Sequence, residues 1–381
     1  MYEMTHDLKA YLDAFLQDAY DLLETLCKIP APSHAEDARA EFVKTWLEAQ
    51  GAEGVYIDEA KNVLFPMNCE GKRDIVCFAA HTDTVFPMET PLNFTRDDTN
   101  FCCPGVGDDT ACLVAMLLVI RYILQRKLQP AGGVLFAANS CEEGLGNLKG
   151  TRQIFADYAG KIGRFFTFDG CYDHVVTRCV GSHRYKVTAA TIGGHSYGAF
   201  GNPNAIAELS ALIADLYTME IPRKPDTKTT FNVGTVEGGT SVNTIAQSAS
   251  MLFEYRSDDE ACLAEMQRRF EEKVAAAGAK GKAEFTVETV GIRPCGGKID
   301  EAVLEEMAAR VCAVSEKYSG LACRRTSGST DCNVPMSLGV PAVCVGTYKG
   351  RGAHTREESV EVASIAKGLP IAAELILDWF A

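Results

Sequence analysis

Histidine is scarce in this 381-residue chain, with seven copies, at positions 6, 34, 81, 174, 183, 195 and 354. Two of them keep acidic company. His81 and Asp83 form His-Thr-Asp at the end of the apolar run IVCFAAHTD. Adjacent acids occur at Asp108–Asp109, after Gly107, and at Glu142–Glu143, after GGVLFAANS. Asp169 closes RFFTFDG, and His354 lies in the glycine-flanked loop GRGAHTREE. Carboxylates gathered in apolar surroundings repel one another and cannot all ionise unaided. A cation removes that conflict. Two imidazoles with three or more carboxylates suit zinc, and equally cobalt or manganese. Five donors with one shared carboxylate suggest two ions about 3.5–4 Å apart.

Each group alone has a plainer reading. Asp-Asp before a helix caps it, Glu-Glu is a solvated pair, and an Asp after a strand turns the chain. What favours chemistry is that each falls at the end of a buried element. His6 and His34 lack such a setting and read as surface residues; His174 and His183 read as structural.

The elements that must position these groups follow from periodicity. Residues 7–28 and 36–50 carry apolar residues at helical spacing. DIVCFAAHTDTV, GGVLFAANS and RFFTFDG are short apolar strands, and DTACLVAMLLVIRYILQRKL is a buried helix. Buried strands alternating with helices predict an α/β fold with a mainly parallel central sheet, whose ligands bind at strand carboxyl ends. From about residue 183 the order becomes β-α-β-β-α-β, the split ferredoxin-like arrangement. The expected domains are therefore 1–182 with 293–381, carrying the chemistry, and an inserted 183–292. A helix over 299–319, the strand PAVCVGT and a C-terminal helix complete the first.

Composition narrows the function. The charge is 37 − 51 = −14. Such an acidic chain repels phosphate backbones, so nucleic-acid binding is not expected. No apolar run is long enough to span a bilayer, so no membrane partner is expected. The N-terminus lacks a basic region followed by an apolar one, so no secretory signal is expected. Fifteen scattered cysteines without a C-x-x-C pair then read as reduced thiols in a cytoplasmic protein.

Five ordered segments carry a family resemblance. AAHTDTVFP, GVGDDTA, SCEEGLGNLKG, GGHSYGAFGNPNAI, and GSTDCNVPMSLGVP with GAHTREE resemble the M20 metallopeptidases almost end to end. That family includes tripeptide aminopeptidase, glutamate carboxypeptidase, acetylornithine deacetylase and succinyl-diaminopimelate desuccinylase. The resemblance implies a zinc-exopeptidase-like catalytic domain with an inserted lid and dimerisation domain, hence a homodimer. It implies two divalent ions, with His81 and Asp169 on one, His354 and Glu143 on the other, and Asp108 bridging. Glu142 would be the general base in amide hydrolysis, and Asp83 would orient His81. From the inserted domain, His195 would bind the oxyanion in the partner subunit, and Asn243 would contact substrate. Arg256 would bind a substrate carboxylate or pair structurally. The Asp108–Asp109 bond would be cis. Two departures stand out: Thr110 replaces the usual lysine, and Cys141 precedes the glutamates. SCEEGLGNLKG, GAFGNPNAI and GGTSVNTIA look most like tripeptide-aminopeptidase members. The expected function is thus a dizinc exopeptidase on small peptides. The alternatives are an N-acyl amino-acid deacylase or carboxypeptidase, and a non-catalytic binding protein on the same scaffold.

Overall fold

The computed structural model describes residues 1–380 and divides into two compact units, Met1–Cys179 with Gly297–Ala381, and Val180–Gly296. The first is built on an eight-stranded sheet. Its order is Tyr56–Ile57, Val63–Met67, Val134–Asn139, Ile75–His81, Ile162–Phe168, Ala342–Val345, His174–Cys179, Arg324–Gly328. The four strands from Val134–Asn139 to Ala342–Val345 run parallel, and antiparallel pairings flank them.

The central strands Ile75–His81, Val134–Asn139 and Ala342–Val345 are almost wholly apolar because both of their faces are covered. Val76, Phe78 and Ala80 enter the core on one face of the sheet, while Ile75, Cys77 and Ala79 enter the core on the other. Phe136, Phe78 and Phe166 stack across three neighbouring strands, with ring centroids 5.9 and 5.2 Å apart. Helix Cys112–Arg126 is buried along nearly its whole length, which explains its lack of a polar face. The predicted helix over 7–28 is two helices, His6–Ala14 and Leu16–Cys27, broken at Phe15. The apolar spacing runs on through the break, so the pattern does not mark it. A further four-stranded sheet, of short antiparallel strands, joins Thr95–Arg96 and Asn100–Cys102 to Gly350–Arg351 and Ser359–Glu361.

Val180–Gly296 holds a four-stranded antiparallel sheet, in the order Thr229–Gly238, Ser248–Ser257, Gly181–Ala190, Glu284–Arg293. In chain order this is 4-1-3-2 read from the other edge, the ferredoxin-like arrangement. Strand Ser248–Ser257 alternates strictly, burying Ala249, Met251, Phe253 and Tyr255 against helices Ala205–Leu216 and Glu260–Gly278. Asn204 and Asp259 cap those helices. The fifteen thiols are free, and no described helix is long and apolar enough to cross a membrane.

Candidate metal centre

Parallel strands bring their carboxyl ends to one edge, and that is where the acids gather. Strand Ile75–His81 ends on His81. Its neighbour Val134–Asn139 leads into Glu142 and Glu143, and Ile162–Phe168 into Asp169. The chain leaves the His81 strand for a neighbour on one side and later for one on the other. His81 therefore stands at the switch point where open α/β sheets form a crevice.

Asp108 lies between the two histidines. His81 Nε2 is 3.1 Å from its Oδ1, and His354 Nε2 is 3.0 Å from its Oδ2. His354 Nε2 also lies 3.0 Å from Glu143 Oε1. Donor atoms of His81, Asp108 and Asp169 lie within 4.8 Å of one another, as do those of Asp108, Glu143 and His354, and those of His81, Glu142 and Glu143. The first two groups share only Asp108. At His81, Nδ1 donates to the Asp83 carbonyl at 3.0 Å. A carbonyl only accepts, so Nδ1 carries a proton and Nε2 is the nitrogen free to ligate.

The electrostatics express the same conflict. Burial, then the charges of Asp108 and its neighbours, push Asp169 well above the usual carboxylate range. Burial pushes Glu143 up to about 7, with the charges of Asp108 and Glu142 adding to it. Asp108 is pushed up by burial but held low overall by His354 and His81. Asp108 and Glu143 raise His354 to about 10. Protons placed between facing donors relieve the repulsion, and a divalent cation would do so at the same positions. Two imidazole nitrogens and a set of carboxylate oxygens suit such an ion.

Several residues hold this arrangement. Asp83 is fully buried; its Oδ1 accepts from Glu142 N (2.9 Å) and its Oδ2 from Glu143 N (3.0 Å). Its carboxylate thus fixes the glutamate turn, while its backbone carbonyl orients His81. Ser33, which the sequence did not flag, donates to Asp83 Oδ2 at 2.6 Å. The Asp108–Asp109 bond is cis. Asp109 is buried and accepts from His81 N at 3.0 Å. Thr110 donates to the Gly105 carbonyl at 2.6 Å, closing the loop. A cation does reach Thr110: the buried Arg39 lies 3.4 Å from its hydroxyl and donates to the Thr82 carbonyl at 2.9 Å.

Three further residues border the donor groups. Asp331 in GSTDCN is no member of the donor groups; it accepts from Asn139 Nδ2 at 2.7 Å and from the Thr151 hydroxyl. Burial, followed by the Glu142 charge, pushes it up to about 7. His34 is exposed, yet its ring contacts Cys141 Sγ at 3.5 Å and the Leu145 carbonyl at 3.4 Å, so it packs on the glutamate loop. Glu358, hidden in the charged run TREE, is buried and accepts three backbone N–H bonds from the Asp108 loop.

In the second unit, His195 and Asn243 lie side by side. His195 pairs with Thr244 in a short ladder, and Ser196 N donates to the Asn243 carbonyl at 3.0 Å. His195 Nδ1 accepts from Tyr197 N (3.2 Å) and Gly198 N (3.3 Å), so the ring's proton sits on Nε2. Arg256 holds Glu254 through two bonds of 3.0 Å.

Parallel strands that end on His81 and on a cluster of buried and half-buried acids, with His354 brought to them on a loop, fit the framework of a metal-dependent hydrolase. The sequence profile of Peptidase family M20/M25/M40 matches residues 77–378. The chain therefore belongs to the M20 family, a dinuclear metal-binding peptidase family, and is a metallopeptidase or amidohydrolase. It is 24% identical over 368 residues to a succinyl-diaminopimelate desuccinylase of Corynebacterium glutamicum, covering 95% of this chain and 96% of that one. A tripeptidase from Staphylococcus aureus shares the fold with a TM-score of 0.75 and 22% identity, over 95% of this chain and 97% of that one. A dinuclear metal-binding M20 peptidase of Bacillus subtilis aligns with a TM-score of 0.63 and 16% identity, over 96% and 99%.

Proposed function

We propose that this chain is a dizinc exopeptidase acting on small peptides, in the manner of a tripeptide aminopeptidase. The observation that carries the reading is Asp108, which offers a different oxygen to each of two imidazoles at 3.1 and 3.0 Å. His81 and Asp169 would hold one ion, His354 and Glu143 the other, and Asp108 both. The ions would supply Lewis acidity toward the amide carbonyl and toward water. Glu142 is the general base. Its backbone is pinned by Asp83, so its carboxylate can take the proton of the attacking water and return it to the leaving amine. His195 offers Nε2–H as an oxyanion donor. The Asn243 side-chain oxygen accepts from Ser241 Oγ at 2.8 Å, which leaves its amide N–H groups for substrate.

In this reading the inserted unit pairs two chains into a homodimer, and His195 serves the partner's site. The support is strand Thr229–Gly238, a ten-residue edge of its sheet that is largely exposed. Sedimentation of the intact chain tests it, and a monomer at assay concentration would count against it.

Likeness to the desuccinylase favours a second reading, an N-acyl amino-acid deacylase or carboxypeptidase. That reading needs a cation for the substrate carboxylate, and Arg256 is already committed to Glu254. A screen of di- and tripeptides against N-acyl amino acids separates the two. In either case a chelator should abolish activity. Glu142→Ala should lower kcat by at least about 100-fold while metal content stays unchanged. Full activity in Glu142→Ala would remove Glu142 as the base.

A further inference from the structure

The loop that carries Asp108 is held by a carboxylate from a distant part of the chain. Glu358 is only 2% exposed. Its Oε2 accepts from Gly105 N at 2.8 Å, and its Oε1 from Gly107 N at 2.9 Å and Asp108 N at 2.8 Å. Both oxygens are thus used, on three donors of one loop. Residue 107 of the same loop packs against Tyr348, where only glycine fits; a Cβ there would lie 2.7 Å from the Tyr348 ring. The backbone of Glu358 faces the same way, since its carbonyl accepts from Cys103 N and Ser359 pairs with Cys102. Glu358 also lies four residues after His354, and its N–H donates to the Thr355 carbonyl.

One carboxylate therefore joins the loop bearing Asp108 to the loop bearing His354, two segments about 250 residues apart. We propose that Glu358 is a positioning residue that holds these two loops in register and thereby sets the affinity for both metal ions. This rests on the reading of Asp108 and His354 as ligands. Because Asp108 faces both histidines, a displaced loop weakens both ions together. Supporting groups of this kind change metal affinity by about 10–100-fold.

The test is titration of metal-free protein with Co2+ and with Zn2+, following the cobalt absorption bands and the metal-induced rise in Tm. Glu358→Ala should bind both ions about 10–100-fold more weakly, with altered cobalt bands and a smaller rise in Tm. Glu358→Gln should fall between, since its one oxygen keeps the Gly107 and Asp108 donors while its NH2 faces the Gly105 N–H. Wild-type affinity and cobalt spectrum in Glu358→Ala would overturn the proposal. So would a Tm loss equal in metal-free and metal-loaded protein, which marks a merely structural role. If Glu358→Ala does not fold, Glu358→Gln decides: wild-type affinity and bands there overturn it equally. His354→Ala is the control. If it too binds normally, the ligand reading has failed; if it alone binds weakly, only the role of Glu358 has.

Discussion

Asp108 sits between two imidazoles, and in the proposed reading protons and metal ions would compete for the same gaps. That competition fixes how stability depends on pH. Glu143 and Glu358 are pushed by burial up to about 7 from an ordinary 4.5, and Asp331 up to about 7 from 3.8. Between those limits the folded state binds more protons than the unfolded one, so stability falls as pH rises. His354 is raised from 6.5 to about 10 by Asp108 and Glu143. Its contribution is fully present below 6.5 and is lost as pH rises through 10. Both effects have the same sign. Chelated protein should therefore lose Tm steadily from about pH 4.5 to about 10. Metal-loaded protein should not follow, because the ions bind deprotonated ligands and bind them better as pH rises. Thermal scans with and without chelator check this. A chelated protein that gains Tm between pH 5 and pH 8 would contradict the charge pattern. Thr110 belongs to the same scale. It lacks a lysine's charge, but the buried Arg39 brings a guanidinium to its hydroxyl.

At the scale of elements, what the sequence made legible was what burial writes into it. Strands covered on both faces are unbroken apolar runs, so IVCFAAH, VLFAAN and the helix behind them could be read directly. The acids at their ends could be read because polar residues in such places are out of keeping. Short strands such as Tyr56–Ile57, Thr95–Arg96 and Gly350–Arg351 could not, since long-range pairing alone makes them strands. Glu358 was illegible for a similar reason: among charged neighbours, its burial depends on a loop 250 residues away. Gly368 is another residue whose meaning is tertiary. It lies inside helix Val362–Leu377, where alanine ordinarily gains about 1 kcal/mol over glycine. Here a Cβ would sit 1.4 Å from the Thr347 carbonyl oxygen. Gly368→Ala should therefore destabilise, by about 1–3 kcal/mol, because the helix and the bend that follows strand Ala342–Val345 cannot both stay in place. Gly278 ends helix Glu260–Gly278, and a Cβ there meets nothing within 4 Å. Gly278→Ala should be neutral or stabilising. Denaturant melts of both variants read the contrast, and equal effects would refute it.

At the scale of the whole chain, function and stability divide unequally between the two units. The five proposed ligands, His81, Asp108, Glu143, Asp169 and His354, all lie in Met1–Cys179 with Gly297–Ala381. Val180–Gly296 contributes none of them and has its own core, centred on Met251, Phe253, Tyr255, Leu209 and Phe270. A ligand that binds only the folded form stabilises the cooperative unit that binds it, by RT ln(1 + [L]/Kd). At 1,000 times Kd this is about 4.1 kcal/mol. Calorimetry should then resolve two transitions, of which chelation lowers one and leaves the other in place. The metal-sensitive transition should be the larger, since enthalpy scales with residue number and the metal-binding unit is the longer. Ala249→Gly or Phe253→Leu, in the core of the inserted unit, should move only the metal-insensitive one. A single transition that shifts as a whole with both metal and Phe253→Leu would mean that the units unfold as one, and that metal binding governs the stability of the inserted unit too.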